Sequence, residues 1–159
     1  MVRPLVACVA VSVILSKPVH AQATPSYAIT ELRAHLFYSN GATFSENLIG
    51  NPKIRALWNT PIGEGDAGAP SNATLVVVEI SGKPGSFEAG RGVELAVRDG
   101  RREIFRQSQR LSVLSDQGHA YAAFWLYDTG CAPLRISTAL LGQRNPTRRV
   151  VDIPFHCGE

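Results

Sequence analysis

The segment from Asn59 to Asn72 holds residues whose types and spacing could form a chemical site. Four of its polar residues offer hard oxygen ligands: Asn59, Glu64, Asp66 and Asn72. Ca²⁺ takes carboxylate and amide oxygens as ligands, together with backbone carbonyls that glycines allow to turn inward. The segment could therefore bind Ca²⁺ weakly or recognise a partner, although a solvated loop between two strands has the same composition. No other cofactor is expected.

The same segment contains a G-x-G-x-x-G pattern, Gly63-Glu64-Gly65-Asp66-Ala67-Gly68. In dinucleotide-binding folds this pattern follows a strand and opens a helix, whose N-terminus meets the phosphate. Here Pro70 and then a strand-like run follow, and two carboxylates would repel an anion. The pattern therefore does not predict a nucleotide site.

A second cluster is basic, with six arginines between Arg91 and Arg110. Four of them surround a proposed hairpin and could bind an anionic envelope surface: Arg98, Arg101, Arg102 and Arg106. Guanidinium groups pair well with phosphate, but acidic residues such as Glu94 and Glu103 lie among them, which favours a solvated face of mixed ion pairs. No aromatic residues are interleaved as a stacking platform, so no nucleic-acid partner is expected.

Motifs for catalysis are weak. The sequence has neither a G-x-S-x-G elbow nor an H-E-x-x-H motif, and His35, His119 and His156 lack the spacing of metal ligands. His35 could pair in space with Glu64 or Asp66 as a base and the group that orients it. This arrangement is the basis for one alternative function, a small secreted hydrolase that uses a loop carboxylate.

The N-terminus has the layout of a secretory signal peptide, with Arg3, an apolar run over residues 5–15 and small residues around Ala21 and Ala23. We expect residues 1–21 to be removed, with cleavage possible up to 23, which leaves one domain over 22–159. An apolar run of that length spans about half of a bilayer core, so no transmembrane anchor is expected in the mature form. Losing Arg3 and Lys17 lowers the net charge from +3 to +1. The predicted location is periplasmic or secreted.

Cys131 and Cys157 remain after this cleavage, and an oxidising compartment predicts a disulfide between them. The flanking runs create a conflict, because one is apolar at even positions over 134–140 and the other at odd positions over 151–155. A hairpin that places the cysteines opposite each other pairs even with even, so the apolar sets would face opposite sides. Either Pro133 marks a bulge, or the two strands lie in different sheets.

Alternating and branched residues indicate about seven short strands, separated by Gly- and Pro-rich turns. The strand-like runs are Tyr27 to Tyr38, Thr74 to Ile80, Val93 to Val97, Tyr121 to Tyr127 and the final pair. Asp99-Gly100 predicts a hairpin turn, but the residues after it, 102–111, fit either a helix or a strand. One or two helical turns are expected over 53–58, and Trp58 and Trp125 are expected in core or shelf positions.

These features favour a single antiparallel β-sandwich, Ig-like or related, with one disulfide. A composition of 45% hydrophobic and 18% charged residues fits one globular domain. We expect a non-catalytic binding module whose partner is another exported protein or an envelope component. The alternatives are the hydrolase above and an envelope-anchoring module that binds through the Arg-rich hairpin.

Overall fold

The computed structural model describes residues 27–51, 71, 73–129, 132–144 and 146–155. Within these ranges all regular structure is β, in eight strands. They are β1 (Ala28–Tyr38), β2 (Thr43–Phe44), β3 (Ala73–Ser81), β4 (Gly92–Asp99), β5 (Arg102–Arg110), β6 (His119–Tyr127), β7 (Leu134–Leu141) and β8 (Arg148–Ile153). Across the same ranges no helix is long and apolar enough to cross a membrane.

The strands form two antiparallel sheets of four, in the orders β2-β1-β3-β6 (sheet 1) and β5-β4-β7-β8 (sheet 2). Alternation along each strand sends one set of side chains into a common core, as with Val76, Val78 and Ile80 of β3, which are fully buried. Large side chains from both sheets, including Phe124 and Ile136, belong to this core. The predicted all-β class with two packed sheets is confirmed, and β2 is the additional short strand.

The undecided segment after Asp99 is a strand. Asp99 pairs with Arg102, so the two-residue loop of the hairpin is Gly100-Arg101, one position later than the sequence predicted. Gly100 has a φ of 55°, a left-handed conformation that glycine adopts without strain. The helix alternative is wrong because β5 pairs with β4 along its whole length, with one irregularity after Val97.

The strands β7 and β8 are neighbours in sheet 2, so the prediction that they could lie in different sheets is wrong. Their register pairs Leu134 with Ile153 and Ile136 with Val151. Even positions therefore oppose odd ones, and both apolar sets face the core. This register differs by one residue from the one that would place Cys131 opposite Cys157.

The backbone leaves regular pairing directly after β8. The amide of Phe155 donates to the carbonyl of Ile153 at 2.9 Å, across Pro154, and both Ile153 and Phe155 are fully buried. Cys131 and Cys157 lie outside the described residues, as do the signal segment 1–21 and the helical turns predicted over 53–58. The disulfide remains a prediction.

Candidate functional site

Four aromatic rings cluster on the outer face of sheet 1, and we call this cluster the aromatic surface: Phe37, Phe44, Trp125 and Tyr127. Phe44 is 48% exposed, Trp125 36% and Tyr127 63%. A cluster of exposed aromatic rings is a feature that marks interaction sites on protein surfaces. The aromatic surface is therefore the candidate functional site.

The local sequence explains how the rings come together. Along β6 the even positions are buried and the odd positions are exposed, so Trp125 and Tyr127 point away from the core. One row of paired residues crosses sheet 1 from β2 to β6. Its members, in order, are Phe44, Phe37, Ala73 and Tyr127. Because Ala73 has only a methyl group, the rings on either side of it are not separated by a bulky side chain.

The rings contact each other closely and at different angles. Phe37 meets Trp125 edge to face at 5.6 Å between centroids, and Trp125 stacks on Tyr127 at 6.3 Å with an interplanar angle of 16°. Phe44 lies 5.4 Å from Phe37 and 6.2 Å from Trp125. Edge-to-face and offset contacts are the favoured aromatic geometries, so each ring helps to hold its neighbours in position.

The edge of the aromatic surface is held by a hydrogen-bonded histidine. His35 Nδ1 lies 2.9 Å from the backbone oxygen of Ser45, and the His35 ring meets that of Phe44 edge to face at 6.5 Å. The Ser45 hydroxyl also accepts a hydrogen bond from the Leu36 amide at 2.9 Å. His35 therefore positions β2 against β1, and its predicted partners Glu64 and Asp66 lie outside the described residues.

Polar residues occupy the other end of the same face. The guanidinium of Arg33 lies 5.9 Å from the centre of the Tyr121 ring. His119 Nδ1 lies 2.9 Å from Glu79 Oε1, but among the described residues this nitrogen has no hydrogen-bond partner, so the two groups are close without the hydrogen bond that would orient a base. Ser81 lies opposite His119 in the ladder, but no hydrogen bond joins the two side chains in the described structure. The arrangement is thus not an assembled catalytic triad.

A cleft of about 350 Å³ opens next to Tyr127, between the hairpin end of β5 and the end of β6. Its polar lining includes Asp99, Arg102, Glu103 and Asp128. Arg102 and Asp99 form an ion pair on one wall of the cleft, with 3.4 Å between Arg102 Nη2 and Asp99 Oδ2. The cleft therefore places both positively and negatively charged side chains beside the exposed ring of Tyr127.

The predicted anionic-surface patch lies on and around the β4–β5 hairpin, where carboxylates compensate much of its charge. Arg106 binds Glu94 and Glu103, each at 2.6 Å, on the outer face of sheet 2. The hydrogen bond from Arg106 holds the pKa of Glu103 below its usual range, and the two carboxylates raise the pKa of Arg106. Arg98 approaches Glu103 only to 4.0 Å, and Arg101 lies exposed in the turn.

The predicted binding residues of the acidic loop, Asn59, Glu64, Asp66 and Asn72, lie outside the described residues, so the possible Ca²⁺ site stays a prediction. Elsewhere, the part of the chain that the structure describes contains no group of three or more His, Cys, Asp or Glu side chains suited to a metal ion.

Sequence reasoning missed the aromatic surface. Of the core or shelf position expected for Trp125, the core position is wrong, because this side chain is 36% exposed on the outer face of sheet 1. The signal was present in β6, where Tyr121, Trp125 and Tyr127 occupy alternate positions and therefore share a face. Phe37 and Phe44 could not be added to that set without knowing which strands are neighbours.

Comparisons with known proteins do not assign this chain to a family: no protein-family model matches the sequence, and no curated protein matches it. Its function must therefore be inferred from the geometry of the fold and its surfaces.

Proposed function

We propose that this chain is an exported, non-catalytic binding module that works in the periplasm or after secretion. The observation that carries the proposal is the aromatic surface. Aromatic side chains supply large contact areas at a small cost in conformational entropy, which suits them to ligand recognition. The signal-peptide pattern of residues 1–21 supports export.

The order of the strands supports an Ig-like version of the sandwich. With β1, β3 and β6 lettered A, B and E, and β4, β7 and β8 lettered C, F and G, the neighbours are A-B-E and C-F-G. Immunoglobulin-type domains have these neighbours. The fold by itself does not define the ligand, so the ligand class must be inferred from the site.

The partner that fits is another exported protein or an envelope component with an apolar face. Such a face would stack on the rings of Phe44, Trp125 and Tyr127, which are the exposed members of the aromatic surface. The adjacent cleft offers Arg102 and Asp128 as hydrogen-bonding groups that could orient polar parts of the ligand. Apolar stacking with a few polar contacts is the usual composition of a specific binding site.

In vivo photo-crosslinking tests the proposal while the ligand is still unidentified. The photoreactive amino acid benzoylphenylalanine is placed at Tyr127 of the aromatic surface or, as a matched control, at Val150, which is half exposed on the outer face of sheet 2. We expect defined adducts, detected as mass shifts, at Tyr127 and not at Val150. Adding Trp125→Ala should abolish them, because this ring stacks directly on Tyr127.

Two results would contradict the proposal. Equal adduct yields at Tyr127 and Val150 would indicate random collisions, and adducts that survive Trp125→Ala would remove the aromatic surface from the interaction. Circular dichroism of the Trp125→Ala protein must match that of the parent, because this side chain is partly exposed and its loss should leave the core intact.

The two alternative functions receive less support. The hydrolase relies on Glu64 or Asp66, and no observation on the described residues favours it. Anchoring through the predicted hairpin patch is disfavoured by the carboxylates around Arg102 and Arg106.

A further inference from the structure

Three arginines lie at the end of sheet 2 where β4 begins and β5 ends, and together they form what we call the basic end: Arg110, Arg144 and Arg148. Arg110 lies opposite Gly92, Arg148 lies opposite Ala139, and Arg144 lies in the turn between β7 and β8. All three are exposed. The predicted hairpin patch and the cleft beside Tyr127 lie at the opposite end of the sandwich.

The positive charge of the basic end is not compensated by carboxylates of the described residues. Within the described ranges, none of its three guanidinium groups forms an ion pair. The two carboxylates on the neighbouring part of β4 and the preceding loop are already engaged: Glu88 accepts a hydrogen bond from Arg91 at 2.6 Å, and Glu94 binds Arg106. The adjoining loops carry one further acid, Asp116, and one further base, Lys83, so these two residues add no net charge. This end therefore differs from the hairpin patch, where carboxylates compensate the arginines.

Exposed apolar side chains are intermixed with these arginines. Phe87 is 58% exposed and lines a cleft of about 280 Å³ together with Arg110. Val113 is also 58% exposed. The next residue, Leu114, donates its amide to the Ser86 carbonyl at 3.0 Å, and this hydrogen bond brings the backbone at Val113 close to that at Phe87. Leu141, 37% exposed, lies opposite Gly92 in the same row as Arg110. Guanidinium groups and apolar groups thus share one surface.

We propose that the basic end docks reversibly on the phosphate headgroups of an anionic lipid bilayer. Arginines near such a surface are attracted by its negative potential, and apolar side chains at the same depth enter the boundary between headgroups and acyl chains. A soluble polyanion would use the arginines alone and would leave Phe87 and Val113 without a role, which favours the bilayer. The proposal does not depend on a ligand for the aromatic surface, so the two can fail separately.

Vesicle flotation tests the docking with the exported chain. Vesicles of phosphatidylethanolamine and phosphatidylglycerol are compared with vesicles of phosphatidylcholine alone, and we expect binding only to the anionic ones, with a partition coefficient that falls as salt rises. The triple variant R110Q/R144Q/R148Q should lose about 100-fold in partitioning, since each basic residue near an anionic surface contributes about a factor of five.

Arg135 of β7 lies opposite Arg98, at the other end of sheet 2. The matched variant R98Q/R101Q/R135Q removes the same charge there and should retain binding within about fivefold. A second pair tests the apolar contribution: F87S/V113S should weaken binding to anionic vesicles, whereas F44S/Y127S on the aromatic surface should not. Thermal melting of every variant checks that it is folded, and the salt titration of the parent chain provides a readout that needs no substitution.

Three outcomes would overturn the proposal. One is the absence of binding to anionic vesicles. Another is an equal loss in both arginine variants, because that would show attraction by overall charge without a defined surface. The third is full binding by F87S/V113S, because the arginines alone would then act on the phosphates as they would on any soluble polyanion.

Discussion

The rings of Phe37 and Trp125 meet edge to face at 5.6 Å, although β3 lies between the strands that carry them. The contact runs diagonally across β3, because Phe37 lies opposite Ala73 and Trp125 lies opposite Leu75. Aromatic pairs of this geometry are worth about 0.5–1.5 kcal/mol beyond the burial of their area. A contact of this kind rigidifies an exposed surface, which lowers the entropic cost of binding a ligand on it.

This coupling can be measured with a double-mutant cycle. Phe37→Leu and Trp125→Leu each keep an apolar side chain, and the double variant should show a coupling free energy of about 1 kcal/mol in urea denaturation. The control is a cycle between Phe37 and Tyr121, which lies at the other end of the face beside Arg33. Additive effects for Phe37 and Trp125 would mean that the ring contact does not stabilise the surface.

Gly118 is predicted to resist substitution more strongly than Gly85. Both have a left-handed φ, of 81° and 64°, so Ala at either position should cost about 1–2 kcal/mol of conformational strain. A Cβ at Gly118 would also lie 2.5 Å from the carbonyl oxygen of Gly82, whereas Gly85 has open space around it. Because that carbonyl belongs to backbone, G118A should lose about 1–3 kcal/mol more than G85A in urea denaturation. Equal losses would contradict the predicted clash.

The ion pair between Glu103 and Arg106 should give the protein a defined acid sensitivity. The hydrogen bond from Arg106 lowers the pKa of Glu103 in the folded state, so this carboxylate stabilises the fold above its unfolded pKa. The stabilisation is lost as pH falls through the folded pKa. Carbon NMR of the Glu103 carboxyl should therefore give a titration midpoint below that of an ordinary glutamate, and Arg106→Gln should raise it. An unchanged midpoint in R106Q would assign the shift to another cause.

The predicted disulfide is testable by peptide mapping without reduction. Cys131 and Cys157 should appear in one linked peptide pair, and Cys131→Ser should lower the free energy of unfolding by about 3.5 kcal/mol because a ring of about 27 residues is opened. The Cys157→Ser variant is the control, since both should lose the same amount. Two alkylatable thiols in freshly exported protein would disprove the pairing.

The local sequence determined the strands and the compartment prediction. Alternation along Tyr121 to Tyr127 was sufficient for a strand, and the Asp99-Gly100 pair located a turn to within one residue, because both depend on neighbours within a few residues. The run Leu75 to Val78 is apolar on both faces, which is typical of a central strand, and β3 lies between β1 and β6. These features are local, and local steric and hydrophobic preferences are encoded directly in the order of residues.

Only the tertiary structure decided which residues share a surface. The segment after Asp99 is a strand because β4 offers it a complete ladder, and the register of β7 with β8 follows from burying both of their apolar sets. Arg106 and Arg110 belong to one arginine-rich run, but only Arg106 is paired with carboxylates, those of Glu94 and Glu103, in the part of the chain that the structure describes. The aromatic surface likewise gathers residues from three strands. Such groupings depend on contacts between residues far apart in the chain, and their pairing is settled when the sheets bury their common core.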